Sequence, residues 1–440
     1  MNNSRWKHIV GITGAICLLL ALIASCSINQ NDGERSNEKD PIVLRVLLEA
    51  SARSEAIVEN VESFEKQHNV DVEISMLGRE NLDEKTLIDL STESGESDVI
   101  YIFRETFAQY AKNGWLMPLD SYMEKSKKEL MKEDFLEGSL DMCEYEENTY
   151  GLPIYLTTCM MYYRTDLFEK AGIEAVPQTW EELKEACQKL KDIGVYPLAM
   201  RGNNYSYGGG ADWHLGMLVY SFGAQYYLNY PEDLTPVLDS KEFVEAVSFY
   251  ADLLNEYGVP GTQTNNYTDN ILAVKNGNVG IWIDGAGLVT DYLTSDSAVT
   301  EENIGFASIP AGKAGKVAPK NVHMLSINAK SEHPKMAYKF IEWVTSIEHQ
   351  TESTFIGTTR RSVFESTAYK EKHNYGSGAW LEVYKDSLKY AQNDYFPVTP
   401  EWPQVSKEIS EAFADILMGE NAGSRMHQAN EKVKRIFISR

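Results

Sequence analysis

Acidic and aromatic side chains stand at a few places in this chain where they could hold a solute. The short apolar runs "VLRVLL", "DVIYIF" and "VGIWI" read as strands, and ligands of open α/β sheets sit outside the carboxyl ends of strands. Glu49 and Ser51 follow the first run, Arg104 and Glu105 the second, and Asp284 the third. A carboxylate accepts hydrogen bonds from paired hydroxyls without needing a particular tautomer. Each of these residues could equally be a solvated group at a helix N-terminus, where the dipole favours the acids. Flat rings could in addition pack on the apolar faces of a ligand. Candidates are Trp213 in "GGGADWHLG", Trp402 in "PEWPQ" and Trp282 in "IWIDG", with Tyr205 and Tyr207 nearby. The first two lie in Gly- or Pro-punctuated stretches that read as loops, where an aromatic is hard to bury. Trp282 sits inside a strand and doubles as a packing residue.

Other chemistries find less support. A surface glycoside hydrolase needs two carboxylates about 5 to 10 Å apart, and acids are so plentiful here that their presence does not discriminate. No G-x-S-x-G elbow, H-E-x-x-H or Cys–His signature occurs. His68, His214, His323, His333, His349, His373 and His427 are scattered at no metal-ligand spacing. "AGKAGK" is followed by Val317 where a phosphate-binding loop requires Ser or Thr, and "YGGGADW" lacks the spacing of a dinucleotide fingerprint. The expectation is a binding protein with no catalytic residue, metal or cofactor.

The N-terminus indicates where that binding takes place. An apolar run of 16 residues from Ile9 to Ala24 follows Arg5 and Lys7 and stops at Cys26, short of the roughly 20 residues that span a bilayer core. That is the layout of a secretory signal. Ile23-Ala24-Ser25-Cys26 resembles the bacterial lipobox, in which cleavage before the Cys lets the thiol carry lipid. Residues 1–25 are therefore expected to be a lipoprotein signal peptide, and 26–41, "CSINQNDGERSNEKD" and its neighbour, a lipidated Cys26 with a flexible tether. The alternative is an anchor helix with an incidental Cys. The formal charge is −24; losing Arg5 and Lys7 makes the mature chain two units more negative, which argues against nucleic acid or an anionic membrane surface as main partner. Cys143, Cys159 and Cys187 remain, an odd number that argues against a disulfide framework; they are expected to be free and mostly buried.

The elements that must position these residues alternate. "PIVLRVLLEA", the amphipathic "SEAIVENVESFEKQHN" and "VDVEISML" read as strand, helix, strand, the opening of an open α/β sheet. "DEKTLIDLSTES" continues as helix, "SDVIYIF" as strand and "RETFAQYAKNGW" as a helix closed at Asn113-Gly114. A hairpin follows at "MCEYEENTYGLP", then a long apolar strand and a helix ending at Gly172. Thr179 with Glu182 three residues on reads as a capping box. Helices dominate from there to about residue 300, apart from a strand at "VGIWID", before strands return at "IGFASIPAG" and "VHMLSINAKS".

Six stretches in series carry a resemblance: "SDVIYIFRETFAQYAKNGWLMPLD", "YGLPIYLTTCMMYYRTDLFEKAGI", "PQTWEELKEACQKL", "VKNGNVGIWIDG", "IGFASIPAG" and "SEHPKMAYKFIEWVTS". In that order the chain resembles the bacterial extracellular solute-binding proteins of family 1, the maltose-binding-protein-like sugar-binding lipoproteins of ABC importers. The resemblance implies an α/β, type II periplasmic-binding-protein-like fold of two lobes, each an open sheet flanked by helices, with hinge crossings between them. Lobe one would be 42–154 plus 310–346, and lobe two 155–309 plus 347–440. The crossings would fall near Pro153–Thr157, Ser308–Gly312 and Thr345–Gln350. It further implies a monomer, anchored in the membrane through Cys26, that captures a carbohydrate, expected to be an oligosaccharide, and delivers it to the permease subunits. A sugar receptor for a sensor kinase is the other non-enzymatic reading. Glu105 matches a sugar-binding acid of the family, and Arg360 and Arg361 fall on a loop that the family places near the cleft. With Arg104 and Arg201 they could bind an acidic sugar, or simply balance a strongly acidic surface. The family often carries an aromatic just beyond the "DG" of the "VGIWIDG" strand, whereas this chain has Ala286-Gly287-Leu288. Either Trp282 or Trp213 replaces that platform, or the ligand is smaller or depends less on stacking there.

Overall fold

A computed structural model describes residues 42–205, 208–353 and 356–438. The signal, Cys26, the tether and Tyr207 lie outside the described residues. Nine strands in two sheets frame the fold: β1 (Ile42–Glu49), β2 (Val70–Leu77), β3 (Val99–Phe103), β4 (Gly151–Thr157), β5 (Cys159–Arg164), β6 (Tyr196–Ala199), β7 (Val279–Gly285), β8 (Ile304–Ala307) and β9 (Asn321–Ile327).

The first sheet has the order β2-β1-β3-β9-β4. β1 pairs in parallel with β2 and β3, while β9 runs antiparallel to β3 and β4. Parallel neighbours require crossovers, supplied by the helices Ala52–His68 and Arg79–Ser91. β3, β4 and β9 are buried at every residue, as expected of strands covered on both faces. Phe64, Ile100, Leu325 and Phe340 belong to the core that covers them. Burying one such side chain contributes roughly 1.5–3 kcal/mol.

The second sheet has the order β8-β5-β7-β6, with β7 antiparallel to β5 and parallel to β6. One core at this sheet includes Trp180, Leu218, Tyr250 and Phe413; a second includes Trp282, Tyr292, Trp380 and Tyr384. The chain passes from one sheet to the other at Thr158, between β4 and β5, and returns between β8 and β9.

Local details refine the sequence reading. The hairpin pairs Glu144 with Thr149, and the Tyr150 N–H donates to the Cys143 carbonyl at 3.0 Å. Cys143, Cys159 and Cys187 are buried and unbridged. At the helix Trp180–Asp192, Thr179 accepts from the Glu182 N–H, but Glu182 turns back to the Gln178 N–H at 2.6 Å, so only half of the capping box forms. A complete box forms instead at Asn266 and Asp269, ahead of the helix Tyr267–Lys275.

Candidate functional site

Three strand-to-helix junctions of the first sheet converge. β1 ends at Glu49, Ser51 is the N-cap of the next helix, and Arg53 sits in its first turn. Arg53 Nη2 donates to Glu49 Oε2 at 2.8 Å, and its guanidinium lies 4.0 Å from the centre of the Tyr155 ring. After β2, Arg79 opens the helix Arg79–Ser91. Its Nε meets Asp83 Oδ2 one turn on at 2.7 Å, and its guanidinium lies 3.3 Å over Phe103. After β3, Glu105 occupies the first turn of the helix Arg104–Lys112. Its Oε1 accepts from Asn321 Nδ2 at 2.8 Å, and Oε2 is 3.9 Å from Arg79 Nη2.

The second sheet faces them with Arg201, just beyond β6. Arg201 makes a bidentate pair with Asp284 of β7, through Nε at 3.1 Å and through Nη2. Its Nη1 donates to the Gly208 carbonyl at 3.1 Å. Asp212 receives the Gly208 N–H at 2.7 Å and the Gly210 N–H at 3.2 Å, which fixes the glycine loop. His214 Nδ1 accepts from the Arg201 N–H, so its protonated Nε2 donates to the Ile283 carbonyl. Trp213 and Tyr267 flank the Arg201 guanidinium, with ring centres 5.5 and 5.2 Å away. Between the two sides, the Tyr205 hydroxyl donates to Asp83 Oδ2 at 2.6 Å.

Together they enclose a cavity of about 150 Å³. Among the described residues that line it, Arg53, Arg79 and Arg201 are matched by Glu49, Glu105 and Asp291, and Asp83 and Asp284 stand behind. Burial pushes the Glu105 carboxyl up to about 7, against the pull of Arg79. Burial, with Arg53 and Arg79 nearby, holds His323 well below its ordinary value, so it is neutral. Burial alone would raise Asp284, but Arg201 and His214 outweigh it and keep the carboxyl below the usual range. Glu105 Oε2, Asn321 Oδ1 and Arg53 Nε are buried without a hydrogen-bond partner, a state that ordinary protein interiors avoid.

Of the residues singled out from sequence, Glu49, Ser51, Glu105, Arg201 and Trp213 line the cavity. Asp284 stands one layer back and orients Arg201. The other four are held elsewhere. Arg104 donates to the Asn393 carbonyl at 3.0 Å and lies 4.0 Å from Asp394. Trp282 stacks on Tyr162, ring centres 5.5 Å apart and nearly parallel, in the core. Arg360 is buried, donating to the Thr345 carbonyl at 2.6 Å and the Met131 carbonyl at 3.0 Å above the Phe135 ring. Trp402 is buried edge-on against Tyr226 at 5.0 Å.

Neither Trp213 nor Trp402 sits in a loop. Trp213 is the second residue of the helix Asp212–Ser221, and Trp402 opens the helix Trp402–Leu417. The Pro that suggested a loop stands at the first turn of that helix, where its missing N–H costs nothing. Sequence reasoning missed Arg53, Arg79, Tyr155, Tyr267 and Asn321. Arg79 was findable, because it follows a strand end just as Glu49 and Glu105 do. At Gly287 there is no room for a side chain, because the Tyr155 hydroxyl oxygen would lie 2.2 Å from a Cβ added there.

A family model described as bacterial extracellular solute-binding protein matches residues 49–351. A mannitol-binding protein of Pseudomonas aeruginosa is 30% identical over 290 residues, which cover 64% of each chain, so the chain spans just under two thirds of that relative's length. A solute-binding protein of Agrobacterium vitis S4 solved with bound D-mannitol superposes with a TM-score of 0.77 at 26% identity, covering 90% of this chain and 98% of that one. One of Agrobacterium radiobacter K84, solved with ribitol, superposes with a TM-score of 0.81 at 20% identity, covering 90% and 99%, and shows the same fold.

Proposed function

The chain belongs to the bacterial extracellular solute-binding proteins, and on that premise we propose that it captures a small neutral polyol, a sugar alcohol or monosaccharide of hexitol size, for an ABC importer. The observation that carries this reading is the set of buried polar atoms without hydrogen-bond partners, Glu105 Oε2, Asn321 Oδ1 and Arg53 Nε, on residues that line a cavity whose lining charges balance. A hydroxyl both donates and accepts, so a polyol satisfies carboxylate, amide oxygen and guanidinium alike. An unpaired buried group costs about 1–3 kcal/mol, which a fitting ligand recovers. A uronate would bring a charge for which these arginines, already paired, hold no surplus. The mannitol-binding relative and the D-mannitol in the Agrobacterium vitis structure agree with this class. A cavity of about 150 Å³ suits one such polyol better than an oligosaccharide.

Capture would begin at the strand ends of the first sheet, and the second sheet would close over the ligand by bending near Pro153–Thr157, Ser308–Gly312 and Thr345–Gln350. Closure of this kind is driven by the ligand's better contacts with the closed state. The lobes of this mechanism would be those implied by the resemblance, 42–154 plus 310–346 and 155–309 plus 347–440, with the first boundary moved to Thr158, because residues 155–157 pair within the first sheet. Anchoring through Cys26 belongs to the same proposal, supported by the lipobox-like Ile23–Cys26; Cys26→Ala is expected to move the protein from the membrane to the soluble fraction.

The test is thermal melting of the purified full chain against D-mannitol, ribitol, D-glucose, maltose and D-glucuronate. Ligand at a hundredfold excess over Kd stabilises by about 2.7 kcal/mol. A shift with a neutral polyol that is recovered chemically unchanged supports the reading. A larger shift with glucuronate overturns the neutral-ligand assignment, and cleavage of the sugar would make the protein an enzyme.

A further inference from the structure

The Tyr155 ring is seated between two glycines from distant parts of the chain. A Cβ on Gly287 would lie 2.2 Å from its hydroxyl oxygen and 3.2 Å from Cζ, and a Cβ on Gly357 would lie 2.3 Å from Cε2. Gly357 also has φ 86°, in the region that favours glycine. The Leu156 N–H donates to the Gly357 carbonyl at 2.8 Å, which fixes the spacing between β4 and the segment that receives the ring. On another side the ring carries the Arg53 guanidinium at 4.0 Å and meets His323 edge-on at 4.9 Å. Tyr155 and Gly287 both line the cavity.

A ring held in this way cannot swing aside. Rotation toward Gly287 or Gly357 is blocked by backbone, and rotation the other way displaces Arg53, which is itself tied to Glu49. With the two sides closed, as here, the wall it forms is therefore rigid, whereas a tyrosine at an open rim would yield to a longer ligand. Gly287 is as much a part of the device as the ring, because a side chain there would occupy the same space.

We propose that Tyr155 is a specificity-determining residue, a fixed wall that limits the cavity to one small polyol, and that Gly287 and Gly357 form the notch that seats it. The proposal rests on the polyol reading for the ligand's class, but the size limit is a separate claim. Its test uses the full chain and the variants Gly287→Ala, Tyr155→Phe, their combination, and Tyr155→Ala. Melting is followed without ligand and with D-mannitol, maltitol, D-glucose and maltose. Gly287→Ala is expected to weaken D-mannitol binding by about tenfold, since an extra carbon is forced into a filled site. Tyr155→Phe removes the atom that the new methyl meets first, so the combination should recover most of that loss. Tyr155→Ala should weaken D-mannitol binding and admit maltitol, which wild type rejects.

Failure of Tyr155→Phe to rescue Gly287→Ala, or a Tyr155→Ala variant that still rejects maltitol, overturns the proposal. A wild type that takes maltitol as readily as D-mannitol overturns it while the polyol reading stands. A wild type that takes glucose and no polyol overturns that reading, and the glucose–maltose pair then decides the size limit. Silence to the whole panel overturns both.

Discussion

The two sides of the cavity are built from different materials. On the first-sheet side, the junctions after β1, β2 and β3 bring in Glu49, Arg53, Arg79 and Glu105, whose hydrogen bonds to protein leave Arg53 Nε and Glu105 Oε2 without partners. On the second-sheet side, Arg201 is used up by the two oxygens of Asp284 and the Gly208 carbonyl. What that side adds is shape: Gly208, Gly209, Gly285 and Gly287 beside the faces of Trp213 and Tyr267. The contrast teaches a division of work. Groups with spare hydrogen-bonding capacity recognise hydroxyls, and the close-fitting glycines of the second side, with the Tyr155 ring of β4 set against Gly287, would determine what size of ligand can be enclosed.

The sharpest way to break this contrast is Asp284→Ala. It leaves the Arg201 guanidinium buried without its counter-charge, and loss of one partner of such a pair costs about 3–5 kcal/mol. Chemical denaturation should show that loss in the ligand-free protein, which would mark Asp284 as a structural prop. A change below about 1 kcal/mol would mean that water or another acid compensates.

Glu105→Gln should act on the opposite side of the comparison. A hydrogen bond to a charged group contributes about 1.5–3 kcal/mol, so polyol affinity should fall by roughly ten- to a hundredfold. The substitution also has a pH signature. The folded-state pKa of Glu105 is raised from 4.5 to about 7, so the folded protein holds this proton more firmly than the unfolded chain. Its contribution is therefore fully present below pH 4.5 and is lost as pH rises through about 7. Melting across that window should show wild type losing stability relative to Glu105→Gln, by on the order of 3 kcal/mol in total. Parallel pH profiles for the two proteins would contradict the assignment.

Tyr205→Phe probes the bridge between the sides. It removes the 2.6 Å hydrogen bond to Asp83, typically about 0.5–1.5 kcal/mol, and is expected to speed ligand release severalfold in stopped-flow measurements. The smallest effect on binding is expected from Trp402→Phe, which lies in the core against Tyr226: affinity should be unchanged while stability falls.

The same division explains what could be read from the sequence. Strands announced by "VLRVLL" and "DVIYIF" put Glu49, Ser51 and Glu105 at the cavity, because a strand end is a local signal. Applied to "VDVEISML", that signal also points to Arg79. On the second-sheet side the same signal after "VGIWI" led to Asp284, which stands one layer behind the cavity. That side's contribution comes from glycines, whose meaning depends on what approaches them, and from Trp213, which looked like a loop residue after "GGG" but begins a helix. Tyr155 lies in a strand buried at every residue and is indistinguishable in sequence from core. Arg360 and Trp402 misled for the converse reason: an arginine can spend its charge on backbone carbonyls, and a tryptophan beside Pro can open a helix and pack in the core rather than line a cleft.

The most direct test of the central claim is a calorimetric titration of D-mannitol and of D-glucuronate into the full chain at low and at high salt. The account predicts that D-mannitol binds with an affinity that salt does not change, since a neutral ligand gains nothing from screened charge, and that D-glucuronate does not compete. Binding of glucuronate that is tighter than that of mannitol and weakens with salt would show instead that the arginines act as an anion site.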